Sequence, residues 1–216
     1  MSERMVRSKV CGVTNEADLR AVADAGADAV GIITEVSVET PREVPPEHAA
    51  DLVAAAPPFL STVLVSMPDT ATRAVELAGA VAPDAVQLHG DFDGEEIRYV
   101  RREARADVIV ALDAAANRVR EYDGVADAIL LDSTTESGAG GTGETHDWNA
   151  ARALVDHLST PVVLAGGLTP ENVADAVRTV DPYAVDVSSG VERSGGEKDH
   201  DAVASFVRNA ALEVSA

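Results

Sequence analysis

Cys11 is the one cysteine of this 216-residue chain. It closes a short apolar run, Lys9-Val10-Cys11, that passes directly into Gly12. A lone cysteine is most often a small buried hydrophobe. The exit of a predicted strand, with a glycine after it and Lys9 close by, is also where a thiol can act as a base. An ordinary thiol, pKa ~8.5, is only a few per cent ionised at neutral pH, and a neighbouring positive charge lowers that value. Asp132 ends a second apolar run, Ala128-Ile129-Leu130-Leu131. A helix cap or a solvated loop acid are its plain readings, but no helix start follows it for many residues, which weakens the first. A carboxyl group held in partial burial can keep a proton for general acid work. One base and one acid on opposite sides of a sugar is the arrangement that proton transfer next to a carbonyl or imine requires.

Two further runs end in small, backbone-exposing residues: Leu164-Ala165-Gly166-Gly167 and Asp186-Val187-Ser188-Ser189-Gly190. Glycine lets main-chain N–H groups approach an anion closely, so Gly166, Gly167, Ser189 and Gly190 are candidate phosphate contacts. Asp186 shares a strand face with Ser188, as Lys9 does with Cys11. If the first and last strands are neighbours, Lys9 and Asp186 can form an interior ion pair, structural or catalytic in role. His89 is either a satisfied core histidine or a substrate contact. Arg42 is either a solvated arginine or a carboxylate clamp. Gly141, Thr142 and Gly143 belong to a glycine-rich stretch that is a turn or part of the substrate site.

These residues need a frame that gathers strand ends. Short apolar runs alternate with segments of helical spacing, eight times in all. Helix periodicity and start signals predict helices over 15–25, 46–56, 69–81, 94–104, 148–158, 170–180 and 199–211, with at most one turn in 113–122. In the helix over 170–180, Pro170 is expected at the first helical position. A motif of Asp-Ala followed by aliphatic residues recurs at Asp28, Asp84 and Asp127, with a looser copy at 181–187. The pattern predicts one α/β domain over 1–216, a (β/α)8 TIM barrel of parallel strands, with an open doubly wound sheet as the fallback. Polar or glycine residues stand at nearly every predicted strand end, where such a barrel keeps its chemistry.

Composition narrows the partners. The chain carries 17 Lys+Arg against 37 Asp+Glu, a net charge of -20. Such a surface repels nucleic acid, so an anionic substrate must be held by local positive potential. The acids are spread between apolar positions along the whole chain, which suits a folded domain adapted to very high salt. No apolar run is long enough to span a membrane and the first residues lack a signal-like apolar core, so no membrane partner and a cytoplasmic location are expected. One cysteine excludes an internal disulfide, and no zinc-site spacing occurs.

Taken in order, Lys9-Val10-Cys11-Gly12-Val13-Thr14, Gln87-Leu88-His89-Gly90, Leu130-Leu131-Asp132-Ser133, Gly141-Thr142-Gly143 with Asp147-Trp148, Leu164-Ala165-Gly166-Gly167-Leu168, and Asp186-Val187-Ser188-Ser189-Gly190-Val191-Glu192 with Lys198-Asp199 resemble the phosphoribosylanthranilate isomerases of tryptophan biosynthesis. The resemblance implies an Amadori rearrangement with no cofactor or metal. It makes Asp132 the acid that opens the furanose of phosphoribosylanthranilate and Cys11 the base that removes the C2 proton. It assigns the phosphate to Gly166, Gly167, Ser189 and Gly190, and the anthranilate carboxylate to Arg42. It is compatible with a monomer or homodimer acting on a small molecule. The segment after the second strand, Thr34-Glu35-Val36-Ser37-Val38-Glu39-Thr40-Pro41-Arg42-Glu43, departs from the family's aromatic residues and Ser-Pro-Arg, keeping Pro41-Arg42. Rival readings are another phosphosugar barrel enzyme, such as a ribulose-phosphate epimerase, an indole-glycerol-phosphate synthase or a thiamine-phosphate synthase, or a non-catalytic barrel that binds phosphorylated metabolites. The epimerase rival needs metal-binding strand ends and the synthase a catalytic lysine, and the chain has only Lys9 and Lys198.

Overall fold

The computed structural model of the chain describes residues 5–113, 118–132 and 148–211. Eight strands, β1 (Arg7–Cys11), β2 (Ala29–Ile33), β3 (Ser61–Ser66), β4 (Ala85–His89), β5 (Asp107–Asp113), β6 (Ala128–Asp132), β7 (Val162–Ala165) and β8 (Ala184–Val187), close in sequence order into a barrel. Every neighbouring pair is parallel, and β8 closes onto β1 with Lys9 in register with Asp186. This is the predicted (β/α)8 architecture. Outward-facing Val10, Val30, Ile32, Leu64, Leu88, Leu131 and Val185 join the large cluster shared with the helices. The inward face carries smaller apolar clusters, Cys11 with Val63, Val65 and Ala85, and Ala111 with Leu130, Val163 and Ala165. Both faces of each strand are covered, which is why the runs read as continuously apolar rather than alternating.

Helices α1 (Glu16–Asp24), α2 (Pro46–Ala55), α3 (Ala71–Val81), α4 (Gly94–Glu103), α5 (Trp148–Val155), α6 (Val173–Val180) and α7 (His200–Ala210) follow the sequence signals. Asn15, Thr70, Asp93 and Asp199 cap α1, α3, α4 and α7 by accepting backbone N–H groups of the first turn. The weak stretch after β5 holds one 3-10 turn, Val119–Tyr122. Helix α6 corrects the expected start at Pro170. Thr169 N–H donates to Asn172 Oδ1 at 2.8 Å, and Asn172 Nδ2 donates to the Gly167 carbonyl at 3.0 Å. Residues 170–172 are therefore spent on tying the glycine loop after β7, and the helix begins only at Val173.

The Asp-Ala repeat has a positional explanation. Asp28 accepts the Ser8 N–H at 2.8 Å, Asp84 accepts the Thr62 N–H at 2.7 Å, and Asp127 accepts the Val108 N–H at 3.0 Å. Each aspartate, just ahead of an even-numbered strand, thus caps the first residues of the strand before it. The looser fourth copy has Tyr183 at the equivalent place, under the Arg7 guanidinium at 4.6 Å from the ring centre. All four lie at the end of the barrel opposite the predicted site, where barrels invest in stability.

An antiparallel pair, β9 (Glu192–Ser194) with β10 (Glu197–Lys198), lies between β8 and α7 and was not anticipated. It docks against the loop after β2, so closely that a Cβ on Gly195 would stand 2.6 Å from Pro41 Cγ. Among the described residues no helix is long and apolar enough to cross a membrane.

Candidate active site

The C-terminal ends of the strands surround a cavity of about 300 Å³. Cys11, Gln87, His89, Asp132 and Asp186 line it from β1, β4, β6 and β8, and the turns after β7 and β8 close it on another side through Gly166, Gly167, Ser189 and Gly190. Ile33, Val36, Val38, Val65 and Met67 supply an apolar wall, and Arg42 completes the lining. The cavity thus joins a polar floor, an apolar wall and a glycine-rich rim. Every sequence-derived candidate within the described residues lines it except Lys9, which lies below Cys11. Gly141, Thr142 and Gly143 lie outside the described residues. Among those described, no group of three His, Cys, Asp or Glu side chains is arranged to hold a metal ion.

Cys11 reaches the cavity because of its neighbour. It pairs in register with Gly31 of β2, and a Cβ at Gly31 would lie 2.7 Å from Cys11 Sγ. The glycine therefore makes the thiol's space, a role that no glycine-counting argument on the sequence isolates. Below the thiol, Lys9 Nζ donates to Asp186 Oδ2 at 2.8 Å and to Gln87 Oε1 at 2.9 Å. Gln87 sits three strands away, so Lys9 crosses the barrel interior, and the predicted Lys9–Asp186 pair forms fully buried. Burial by itself would strip the proton from Lys9, but Asp186 and Cys11 hold it, and its pKa lies above the ordinary lysine value. On Asp186, burial outweighs the pull of Lys9 and raises the carboxyl above its usual range, with the counter-ion still in contact.

One expectation about Cys11 is corrected. Proximity to Lys9 was expected to lower its pKa. Burial dominates instead, with Asp186 adding to it, and the thiol is pushed up despite the opposing charges of Lys9 and Lys198. The lowering by Lys9 is present but outweighed. His89 shows the same physics with the opposite sign: burial first, then the charge of Lys9, brings its pKa to about 4. It is neutral at physiological pH, and its Nε2 lies 2.9 Å from Gln87 Nε2.

Arg42 is a clamp already closed on a protein carboxylate. Its Nε and Nη2 meet Glu192 Oε1 and Oε2 at 2.9 and 2.6 Å, a bidentate pair. The glutamates flanking it in sequence look elsewhere, Glu35 to Arg73 and Glu43 to the Val36 N–H. Gly12, at φ +78°, gives the arginine stem room, since a Cβ there would meet Arg42 Cδ at 2.8 Å. Lys198 is the residue whose function the sequence left open. Fully buried on β10, it donates to Glu192 Oε1 at 2.7 Å, the Cys11 carbonyl at 2.6 Å and the Ser188 carbonyl at 3.2 Å.

The two rim turns are packed into one surface. A Cβ on Gly190 would stand 2.0 Å from the Leu168 carbonyl oxygen, so only glycine lets the turn after β8 lie against the turn after β7. Gly166 and Gly167 adopt φ of +91° and +60°, conformations that glycine enters without strain.

A family model described as N-(5'phosphoribosyl)anthranilate (PRA) isomerase matches residues 8–209. The chain belongs to that family. A protein of Halorubrum lacusprofundi named N-(5'-phosphoribosyl)anthranilate isomerase is 59% identical over 211 residues, 97% of this chain and 99% of the relative. One of Haloferax volcanii with the same name is 59% identical, over 94% of this chain and 92% of its own. The crystal structure of phosphoribosyl anthranilate isomerase from Thermotoga maritima aligns with a TM-score of 0.83 at 39% identity, covering 95% of this chain and 98% of its own. A family structure in complex with reduced 1-(o-carboxyphenylamino)-1-deoxyribulose 5-phosphate aligns with a TM-score of 0.79 at 37% identity, over 95% and 98% of the two chains. The resemblance read from the motifs and the barrel read from the alternation therefore converge on one isomerase family.

Proposed function

We propose that this chain isomerises N-(5-phosphoribosyl)anthranilate to 1-(2-carboxyphenylamino)-1-deoxyribulose 5-phosphate, with Asp132 as general acid and Cys11 as general base. The observation that carries this reading is one cavity holding a thiol from β1 and a carboxyl from β6, with two glycine turns at its rim. Asp132 gives its proton to the furanose ring oxygen; the ring C–O bond breaks and the anomeric carbon becomes a Schiff base to the anthranilate nitrogen. The Cys11 thiolate then takes the proton from C2, and the electron pair closes the enol-amine, which tautomerises to the ketone. Main-chain N–H groups of Gly166, Gly167, Ser189 and Gly190 hold the phosphate. The apolar wall of Val36, Val38 and Met67 receives the anthranilate ring, and Arg42 faces its carboxylate.

Asp186 is assigned a substrate hydroxyl. Its Oδ1 is buried without a hydrogen-bond partner among the described residues, and a buried carboxylate oxygen in that state favours a donor strongly. Neutral His89 serves as a further polar contact. Gly141, Thr142 and Gly143 are proposed to complete the substrate contacts. The reading includes one domain over 1–216, a monomer or homodimer, and a cytoplasmic location.

Loss of phosphoribosylanthranilate fluorescence at high salt measures the reaction directly. Cys11→Ala and Asp132→Asn are each expected to lower kcat by roughly 10²- to 10⁴-fold, the usual contribution of one acid or base. Near-native kcat in either variant would remove that residue from its role.

A further inference from the structure

At the cavity floor lies a charge pair whose lysine no proposed contact has used. Lys9 does not line the cavity, while Asp186, Gln87 and Cys11 above it do. Its side chain and that of Asp186 are about 5% and 8% exposed. A buried ion pair is weak evidence for stability, because removing two charges from water offsets most of their attraction. Its position is more informative. Lys9 and Cys11 share the inward face of β1, and Asp186 stands in register with Lys9 on β8. The ammonium donates hydrogen bonds to Asp186 and Gln87, and its charge also acts on the Cys11 thiol, two residues along the same strand face.

We propose that Lys9 and Asp186 act together as positioning residues for the base: Lys9 is the counter-ion of the Cys11 thiolate, and Asp186 sets how much of that charge the sulfur receives. The proposal rests on the reading of Cys11 as the base. The other charged groups facing the thiol are Lys198 on β10 and Arg42 in the loop after β2. Both are bound to Glu192, at 2.7 Å for Lys198 and 2.6 Å for the closer Arg42 contact, so their charge is largely committed there. His89 is neutral near pH 7 and, with Asp132, interacts with this cluster from β4 and β6. Lys9 is therefore the cation whose share between two anions, Asp186 and the thiolate, is open to change. Substrate enters the same balance, because a hydroxyl donated to Asp186 Oδ1 disperses the carboxylate charge and leaves more of Lys9 for the sulfur.

Cys11 is the only thiol in the chain, so its ionisation is read without interference from the pH dependence of iodoacetamide alkylation in the full-length protein. Lys9→Met is expected to raise the apparent thiol pKa by about one unit, a tenfold loss of thiolate. Asp186→Asn is expected to lower it by a similar amount. In Lys9→Met the acidic limb of kcat/KM should move with the thiol. Opposite shifts support the proposal; no shift in either variant, or shifts of the same sign, overturn it, since general loosening of the fold would move both the same way. If Lys9→Met does not fold, Asp186→Asn alone decides, and an unmoved or raised thiol pKa overturns the proposal. Cys11→Ala tests the underlying reading separately. An active Cys11→Ala enzyme removes the base, whereas an inactive one with unmoved thiol titrations removes only the role of the pair.

Discussion

At the scale of single residues, the site depends as much on what is missing from a side chain as on what is present. Gly31 is the clearest case. A methyl group there would press on Cys11 Sγ at 2.7 Å and on Cys11 Cβ at 3.2 Å. Gly31→Ala should destabilise the protein by about 1–3 kcal/mol, the usual effect of an overfilled site. With Cys11 as the proposed base, its effect on turnover should be larger, on the order of 10²-fold in kcat, because a small displacement of a reacting atom is costly. Paired measurements of urea unfolding and kcat check this, and a variant that loses stability but keeps kcat would show that the thiol's place does not matter. Cys11, Asp132, Gly166 and Ser189 were legible in the sequence because each ends an apolar run with an abrupt change of residue type. Gly31 was not, because it sits inside a strand and its meaning is a contact with the strand alongside.

At the scale of elements, the loop after β2 is held by a segment far from it in the chain. Glu192, on β9, binds Arg42 on one side and Lys198 on the other, and Lys198 in turn fastens the carbonyls of Cys11 and Ser188. Arg42, the proposed substrate-carboxylate clamp, and the strand that carries Cys11, the proposed base, thus share one buried carboxylate. Burial alone would raise the Glu192 pKa, but hydrogen bonds from Arg42 and Lys198, and their charges, outweigh it and hold it below its ordinary value of 4.5. The unfolded chain therefore binds this proton more readily than the folded one. The contribution of Glu192 is fully present above pH 4.5 and is lost as pH falls through the lower folded value. Glu192→Gln should lose about 3 kcal/mol at neutral pH, since the buried Lys198 and the half-buried Arg42 are left without their counter-charge. The gap between the variant and the wild-type protein should shrink as unfolding is measured from about pH 7 down to about pH 3. KM should rise roughly tenfold, equivalent to about 1.4 kcal/mol, as Arg42 loses its orientation. A stability gap that does not depend on pH would contradict the arrangement. Helix α6 makes the same point in reverse: its helical periodicity was visible, but its start was displaced by the ties of Thr169 and Asn172 to the glycine turn.

At the scale of the whole molecule, the net charge of -20 is the dominant fact. Arginines on the surface are mostly occupied by nearby acids, such as Arg98 with Glu95 and Arg152 with Asp156. Exposed pairs of this kind are individually worth little. What remains is a large excess of like charge, whose repulsion weakens as the Debye length shrinks from about 10 Å at 0.1 M salt to about 3 Å at 1 M. Relatives from Halorubrum and Haloferax, at 59% identity, fit that setting. The thermal unfolding midpoint should be higher in molar KCl than in dilute buffer, as followed by circular dichroism. An equal or lower midpoint in molar salt would exclude adaptation of this surface to high ionic strength.

The alternation of apolar runs with helical segments was enough to define a parallel α/β domain, because both faces of every strand are covered and each run had to be apolar throughout; the pairing of β8 with β1 decided for a closed barrel over an open sheet. The alternation was also enough to mark the strand ends, since burial stops there and polar or glycine residues begin. The Asp-Ala repeat was visible too, although its hydrogen bonds to the preceding strand were not. Only the closed structure decided the electrostatics. Whether Lys9 lowers the Cys11 pKa or burial raises it depends on how much water the barrel excludes. Whether Arg42 stands alone or grips Glu192 depends on a hairpin some 150 residues later in the chain. Local order is written in residue types, but a charge buried among residues distant in sequence is valued by the medium and the partners that folding alone assembles.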